Sequence, residues 1–215
     1  MTASRNGLIR GEDGRQRCSW PADHTDYVLY HDTEWGRPVD DDVRLFEKLC
    51  LEGFQAGLSW LTILRKRDHF RAGFAGFDFE RVARWNSRSV ERLLRDAGIV
   101  RHRGKIESVL NNAKRTCDLV EECGSLAEHV WSFMPGPKER PRRMTRAALM
   151  KLTQSPSSVA LSRDLKQRGF SFVGPTTLYA FMQSMGLVND HLEGCAFRAP
   201  VERDRQVFLA HMKSN

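Results

Sequence analysis

The sequence lacks the apolar segments that mark membrane and secreted proteins. No stretch of its 215 residues approaches the roughly 20 apolar residues that a transmembrane helix needs. The segment from Met1 to Arg17 is polar and has no apolar signal core. The five cysteines are an odd number without a secretory pattern, so reduced thiols are expected instead of a disulfide framework. We therefore expect a cytoplasmic protein without a membrane partner.

Alternating strand patterns and internal repeats are also missing, which leaves an all-α fold as the predicted class. One long helix is predicted to start after the aspartates at positions 40–42 and to run through Leu64, since carboxylates favour the positive end of a helix. Further helices are predicted at roughly 78–85, 87–97, 103–123, 124–134, 145–152, 157–168 and 175–186, with C-terminal stops at Gly98, Gly124, Gly169 and Gly186.

The chain length suits one ordinary domain with its own core. Residues 1–17 are rich in glycine and arginine and predict a flexible lead-in, so residues 18–195 are expected to form the helical domain. Residues 196–215 form a predicted tail with a short candidate helix from Val201 to Met212.

Basic residues outnumber acidic ones, 34 to 27, and give a net charge of +7. This charge is compatible with a polyanionic partner but does not require one. The segment 135–146 combines three prolines with four arginines and one lysine, and predicts an exposed basic loop. Contact with phosphates and a solvated linker are both open interpretations of that loop.

Two pairs of potential metal ligands bracket the chain: Cys18 with His31, and His191 with Cys195. The second pair is spaced closely enough to share one ion, and zinc takes four Cys or His ligands in a structural site. Cys18 and His31 are too far apart for local geometry to bring them together. One ion clasping both pairs and four unrelated residues are equally open from the spacing alone.

A short connection between two predicted helices ends in Gly174-Pro175. Proline fits the first turn of a helix, and the free N–H groups of a helix start bind phosphate. Lys166 and Arg168 would add positive charge beside it. The alternative is a plain corner between helices that buries Phe170, Phe172 and Val173.

Glu52 lies inside an otherwise apolar stretch that ends at Trp60. On one continuous helix the two residues would be about 80° apart and could border one cavity. Gly53 and Gly57 would lie on the same face, where tight packing or space for a guest would offset their cost. A second aromatic group, Trp20, Tyr27, Tyr30 and Trp35, surrounds His31 in sequence. A buried structural acid with core aromatics is the alternative interpretation.

With these residues assembled, the chain resembles the 3-methyladenine DNA glycosylase I family, the zinc-bearing branch of the helix-hairpin-helix glycosylases. The matching stretches are Arg17–Trp20, Tyr30–Gly36, Leu51–Trp60, Asp96–Ile106, Trp131–Phe133, Lys166–Gly174 and Gly186–His191. Two positions depart from the expected pattern: Phe54 stands where a glutamine is expected, and Ala196-Phe197 stands where further cysteines can occur.

The resemblance implies a helix-hairpin-helix fold in which one structural Zn²⁺ joins the terminal segments through Cys18, His31, His191 and Cys195. It implies excision of 3-methyladenine from alkylated double-stranded DNA by base flipping, with free 3-methyladenine as product. Glu52 is then the catalytic residue, and the base-binding residues are Tyr30, Trp60, Trp20, Tyr27 and Trp35. The implied DNA-binding residues are Gly169, Val173, Gly174, Thr176, Lys166 and Arg168.

We expect a monomeric, monofunctional enzyme that uses water as nucleophile, because Lys105 has no evident pocket context. Asp190, next to a predicted metal ligand, is expected to support the metal site, with catalysis as the alternative. A zinc-stabilised DNA-binding or damage-sensing module without turnover is the alternative function, and a purely structural protein is a third. The module predicts that Glu52→Gln changes nothing, whereas the enzyme predicts lost activity.

Overall fold

A computed structural model describes residues 6–212, and it is mostly helical, which confirms the predicted all-α class. The helices are α1 (Thr25–Thr33), α2 (Asp42–Gln55), α3 (Trp60–Arg65), α4 (Arg67–Gly73), α5 (Phe79–Ala83), α6 (Ser87–Leu94), α7 (Arg103–Cys123), α8 (Leu126–Ser132), α9 (Arg146–Met150), α10 (Pro156–Gln167), α11 (Pro175–Ser184) and α12 (Arg198–Met212). Single 3₁₀ turns cover Ala75–Phe77 and Pro137–Glu139. Within residues 6–212, no helix has both the length and the apolarity that a bilayer crossing requires.

The chain divides into two compact units. Unit 1 comprises the chain up to Pro38, the segment Met134–Pro156 and the chain from Met182 onward. Unit 2 comprises Val39–Phe133 and Ser157–Phe181. Both units are therefore built from segments that are distant in sequence.

Unit 1 contains a short antiparallel hairpin that the sequence analysis missed. Strand β1 (Leu8–Arg10) pairs with β2 (Gln16–Cys18), with Leu8 opposite Cys18 and Arg10 opposite Gln16. Three-residue strands are too short to show an alternating pattern, which explains why the hairpin could not be predicted from the sequence. Part of the segment predicted as a lead-in is thus paired, while its residues 1–5 lie outside the described part of the chain.

The single long helix predicted from Asp42 to Leu64 is wrong. Helix α2 ends at Gln55, and the chain turns through exposed residues 56–59 before α3 begins at Trp60. Gly57 has φ +82°, a left-handed conformation that cannot continue an α-helix. Ser59 then caps α3 by accepting a hydrogen bond from the Thr62 N–H. The left-handed Gly57 and the Ser59 cap therefore interrupt the helix, although the apolar periodicity continues through this segment.

Phe54 belongs to the core of unit 2. Its ring lies 4.6 Å from Phe70 and 5.9 Å from Phe74, centroid to centroid, and the residue is only 1 % exposed. Buried aromatic pairs of this kind contribute about 0.5–1.5 kcal/mol beyond the burial of their apolar area. The apolar residue at this unusual position is therefore explained by packing.

The other predicted helices are found with shifts of a few residues at their ends, and α7 matches its predicted range, 103–123. Two helices, α1 and α4, were missed because each is short and lies in a segment without a strong apolar period. Helix α12 begins at Arg198, before the predicted start at Val201.

Candidate functional site

Unit 1 brings together three of the four predicted metal ligands. The ligand atoms of Cys18, His31 and Cys195 lie within 4.8 Å of one another, and all three residues are buried. Cys18 ends β2, His31 lies in α1, and Cys195 lies before α12. The Cys195 sulfur is 3.7 Å from His31 Nε2. Residues from both ends of the sequence therefore form one group that could hold a metal ion.

His191, the fourth predicted ligand, lies beside this group. Its ring centroid is 4.8 Å from that of His31, and the residue is fully buried. Its Nε2 atom has no hydrogen-bond partner among the described residues. Burial, together with the nearby His31, lowers the pKa of His191 to about 3, so its imidazole is neutral at physiological pH. A buried neutral nitrogen without a partner has the character of a metal ligand.

The Nδ1 atom of each histidine, the ring nitrogen other than Nε2, forms a hydrogen bond with a neighbouring side chain. His31 Nδ1 lies 2.7 Å from Asp32 Oδ1, and His191 Nδ1 lies 3.0 Å from Asn189 Oδ1. Because these oxygens accept, each Nδ1 carries the proton and each Nε2 is left as the donor atom for an ion. The carboxylate of Asp32 is fixed in turn by Arg17 at 2.8 Å. These hydrogen bonds fix the orientation of both imidazole rings.

The two thiols interact with each other. The hydrogen bond between them lowers the pKa of Cys195 to about 4 and raises that of Cys18 well above its usual range. The Leu192 N–H also donates to the Cys18 sulfur at 3.3 Å. Thiolate character at this position favours metal binding, because the deprotonated sulfur is the ligand.

The predicted aromatic group of unit 1 forms around Trp20. Its ring centroid lies 4.8 Å from Tyr27, 5.1 Å from Trp35 and 6.5 Å from Tyr30. Tyr30 is buried, whereas Trp20 is 37 % exposed. Trp20 also packs edge-on against His31 at 5.2 Å. Trp20 therefore contacts both the aromatic group and His31 of the candidate metal group.

In unit 2, Glu52 is buried and forms an ion pair that the sequence analysis missed. Lys48 Nζ lies 2.9 Å from Glu52 Oε1, and the two side chains are only 6 % and 5 % exposed. The same ammonium lies 3.1 Å from the centroid of the Trp60 ring. Lys48 thus contacts both Glu52 and Trp60, although these two residues are on separate helices. The available signal was a lysine one turn before Glu52 inside an apolar run.

Lys105 is buried against the end of α2. Its Nζ donates to the carbonyl oxygens of Phe54, at 2.8 Å, and Ala56, at 2.5 Å. Burial lowers the pKa of this ammonium. Because helix ends leave carbonyl groups without intrahelical partners, Lys105 fixes the turn that leads to Trp60.

The connection between α10 and α11 is a tight hairpin held by side chains of α7. Asn112 accepts from the Ser171 N–H at 2.9 Å and donates to the Ser171 carbonyl at 2.9 Å. Gly169 has φ +85°, and its carbonyl accepts from Asn111 at 2.8 Å. Phe170 and Val173 are buried, as a plain corner predicts, but Phe172 is 39 % exposed. A Cβ on Gly53 would lie 3.3 Å from that of Phe172, so this glycine permits close packing.

Two arginines, one from the hairpin and one from the basic loop, form ion pairs with acidic side chains. Arg168 contacts Glu122 at 2.7 Å and Asp164 at 3.1 Å. In the basic loop, Arg143 contacts Glu193 at 2.8 Å. These pairs reduce the positive charge that the hairpin and the loop present to a phosphate.

Asp190 is paired within unit 1. Its carboxylate contacts Arg140 of the basic loop and accepts from Gln183 at 2.8 Å. The residue is 3 % exposed. This enclosed ion pair is typical of a supporting role next to His191 and does not favour catalysis.

Known proteins place these features in one class. A family model described as methyladenine glycosylase matches residues 20–199. The chain belongs to this family, as its sequence motifs predicted.

Individual relatives are similar over nearly their whole length. The chain is 46 % identical over 181 residues to DNA-3-methyladenine glycosylase 1 of Escherichia coli (strain K12), which covers 84 % of this chain and 95 % of that protein. The solved 3-methyladenine DNA glycosylase I from Staphylococcus aureus is 35 % identical, with a TM-score of 0.78 and coverage of 85 % and 96 %. A variant of 3-methyladenine DNA glycosylase I in complex with 3-methyladenine is 34 % identical, with a TM-score of 0.79 and coverage of 85 % and 97 %.

Proposed function

We propose that this chain is a DNA repair enzyme that hydrolyses the N-glycosidic bond of 3-methyladenine in alkylated double-stranded DNA and releases the free base. Relatives named for this activity match most of the chain. One observation within the chain carries the proposal: Glu52 and Trp60 together hold a cation, the Lys48 ammonium, at a buried position. A carboxylate and an indole face are the groups that would recognise a positively charged purine.

The positive charge of the substrate explains why a carboxylate and an indole ring suffice for catalysis. Methylation at N3 makes the adenine nucleoside cationic, and departure of the base neutralises that charge, so little acid catalysis is needed. Glu52 would accept a hydrogen bond from the exocyclic amine and favour the cation. Stacking on Trp60 would contribute about 2 kcal/mol when the site is desolvated. Undamaged adenine lacks the charge and gains less from both residues.

The nucleotide must leave the duplex before it can reach a buried carboxylate, and this costs a few kcal/mol of unstacking. An aromatic slot offsets part of that cost. Water is the proposed nucleophile, since the Lys105 amine is engaged by two backbone carbonyls. The enzyme is therefore proposed to be monofunctional.

The aromatic group of unit 1 is the second proposed base-binding element. Tyr30 would donate or accept a hydrogen bond through its hydroxyl, and Trp20, Tyr27 and Trp35 would offer ring faces or edges. The exposure of Trp20, 37 %, supports this interpretation because a large exposed aromatic is available for a ligand.

The metal is proposed to be one structural Zn²⁺ that joins the N- and C-terminal segments. Two sulfur and two nitrogen donors from Cys18, Cys195, His31 and His191 match the tetrahedral preference of zinc. The partnerless Nε2 of His191 and the preset Nδ1 hydrogen bonds support the fit. Four protein ligands leave no position for water, so the ion would stabilise the fold and take no part in the reaction.

The hairpin between α10 and α11 is proposed to be the helix-hairpin-helix element that holds the DNA backbone. The N–H groups at the start of α11 would bind a phosphate, and Gly169, Val173, Gly174 and Thr176 would contribute backbone or hydroxyl contacts. Lys166 is exposed and would add charge. Arg168 is the weakest member of the predicted set because its guanidinium is paired with Glu122.

Residues 18–195 are proposed to form the catalytic domain, and β1 and α12, although part of unit 1, lie outside these bounds. The family match, residues 20–199, has similar limits. A monomer that works in the cytoplasm is the proposed physiological form.

The test is a base-release assay on N3-methylated duplex DNA with the purified, zinc-loaded protein, read by the chemical identity of the released base. Release of 3-methyladenine is expected, and Glu52→Gln should lose it while DNA affinity is kept. The alternative, a DNA-binding or damage-sensing module, predicts salt-dependent binding without release. Absence of any released base would overturn the enzymatic proposal.

A further inference from the structure

Lys48 occupies a face of Trp60 on which a base could stack. Its ammonium nitrogen lies 3.1 Å from the centroid of the indole ring. A second aromatic ring on that face needs about 3.5 Å between carbon atoms, which is the space that the ammonium fills. A base and Lys48 therefore cannot use this face at the same time.

Helix stability does not explain the Lys48–Glu52 pair. The lysine precedes the glutamate by one turn, and this order is the weaker one for a pair spaced by four residues. Both side chains are also buried, and a buried ion pair is often no more stable than apolar side chains of similar volume. Lysine is rarely buried unless it has a specific partner. The pair is better explained by the site it fills.

We propose that Lys48 is a resident cation that fills the Glu52–Trp60 site in the free protein and is displaced when the damaged base enters. The inference rests on the proposed function and adds what the site holds before substrate arrives. A cationic purine would replace the ammonium at both partners. After cleavage the base is neutral, so the returning ammonium would favour its release.

The surroundings permit this exchange. Trp60 is half-buried, and residues 56–59 next to it are exposed, so the site has an open edge. The four-carbon stem of lysine is flexible enough to swing the ammonium away. Displacement has a consequence for affinity: if the ammonium covers Trp60 in about nine molecules in ten, the apparent Kd of the base is raised about tenfold.

The first experiment observes Lys48 directly in the wild-type protein. In protein labelled with ¹³C-lysine, the ε-methylene signal of Lys48, assigned by its loss in Lys48→Arg, is expected upfield because of the indole ring current. Saturation with free 3-methyladenine is expected to abolish that upfield shift. A signal that stays upfield in the saturated complex would overturn displacement.

The second experiment measures affinity without the competitor. Lys48→Met should bind free 3-methyladenine about tenfold more tightly than the wild type, as measured by calorimetry. The matched control is Lys114→Met, the same change at an exposed lysine of unit 2, which should bind like the wild type. Equal or weaker binding by Lys48→Met would mean that the lysine supports the site, and would contradict the inference.

Loss of Lys48 leaves a buried carboxylate without its cation, which can prevent folding. Lys48→Gln then serves as the second variant, since its amide still donates to Glu52 but is neutral. It should also bind the base more tightly than the wild type, and weaker binding counts against displacement.

The two proposals fail in different ways. If the wild type releases 3-methyladenine from DNA while the Lys48 signal does not move, only the displacement inference falls. If neither base binding nor base release is found, the proposed function falls and the inference falls with it.

Discussion

The candidate metal ligands of unit 1 come from opposite ends of the sequence, whereas the candidate site residues of unit 2 come from one stretch, from Lys48 to Trp60. Cys18, His31 and Cys195 meet with one histidine nitrogen nearby that lacks a partner among the described residues. Lys48 forms an ion pair with Glu52 and a cation–π contact with the Trp60 ring. The distant group offers donor atoms that could hold an ion, while the local group is held together by its own charges.

This difference follows from chain entropy and charge. Closing a long loop is costly, and a few hydrogen bonds between thiols and imidazoles offset little of that cost. A bound ion contributes its binding energy directly to folding. Two buried charges on one helix need no such closure, because the backbone already places them together. Stability is therefore expected to depend on the first group and activity on the second.

The largest expected effect is on the metal group. Cys195→Ser should lose the proposed zinc ion and lower the free energy of unfolding by about 5 kcal/mol, because a ligand and its ion would be lost together. Metal analysis and chemical denaturation measure both effects. Cys117→Ser, a half-buried cysteine outside the group, is the control and should retain the ion. Undenatured wild-type protein without metal, or a Cys195→Ser variant that keeps it, would contradict the comparison.

The next largest effect is expected on the rate of base release and tests the group of unit 2. Glu52→Gln should reduce the rate of 3-methyladenine release by about 100-fold, the equivalent of one charge-assisted hydrogen bond of about 2.7 kcal/mol. Zinc content should be unchanged. Glu47→Gln is the matched control on the same helix, because Glu47 is a buried acid paired with Arg71 at 2.9 Å. If both variants release base equally well, Glu52 has no special role.

A smaller effect is expected at the hairpin of unit 2. Asn112→Ala removes three hydrogen bonds to Ser171, the longest of them at 3.4 Å, and should destabilise the protein by about 2 kcal/mol, with weaker DNA binding as the second readout. Asn111→Ala removes an exposed hydrogen bond to the Gly169 carbonyl and one to Asn112 Oδ1, and should cost less, about 1 kcal/mol. The same loss for both variants would show that the buried amide does not hold the hairpin.

The smallest effect compares one glycine from each unit. Gly57 and Gly14 have φ +82° and +76°, and a Cβ at either position would meet no atom within 4 Å. Alanine at each should therefore cost about 1 kcal/mol of backbone strain and nothing from clashes. Only Gly57→Ala should also slow base release, because Gly57 shapes the turn before Trp60. An equal decrease in activity for both variants would break the distinction between the units.

Local patterns predicted much of the helical structure. The range of α7 was correct because a long periodic stretch is bounded by Gly124, where the chain leaves the helix with φ +87°. The run from Asp42 to Leu64 was misjudged because its apolar period continues through residues 56–59, where a left-handed glycine and the Ser59 cap break the helix. Apolar periodicity reports which face is buried, and it cannot show where the backbone turns.

The site was predicted to a different extent in each unit. The resemblance supplied Glu52 and Trp60 but not the ammonium between them, because a lysine in an amphipathic helix normally points to solvent. The composition of segment 135–146 predicted an exposed basic loop, but Arg140 and Arg143 are paired with Asp190 and Glu193. Charge counts ignore such pairs because the partners are about 50 positions away.

By itself, the sequence determined the helical class, the family and which side chains are able to bind, ligate or catalyse. These depend on composition, periodicity and short motifs. Only the tertiary structure decided which of those residues meet. It gathered Cys18, His31 and Cys195 from both ends of the chain, and it placed Lys48 between Glu52 and Trp60 across a break in the helix. The physical reason is that contacts between distant segments are fixed by packing of the whole core and leave no local signal in the residues that make them.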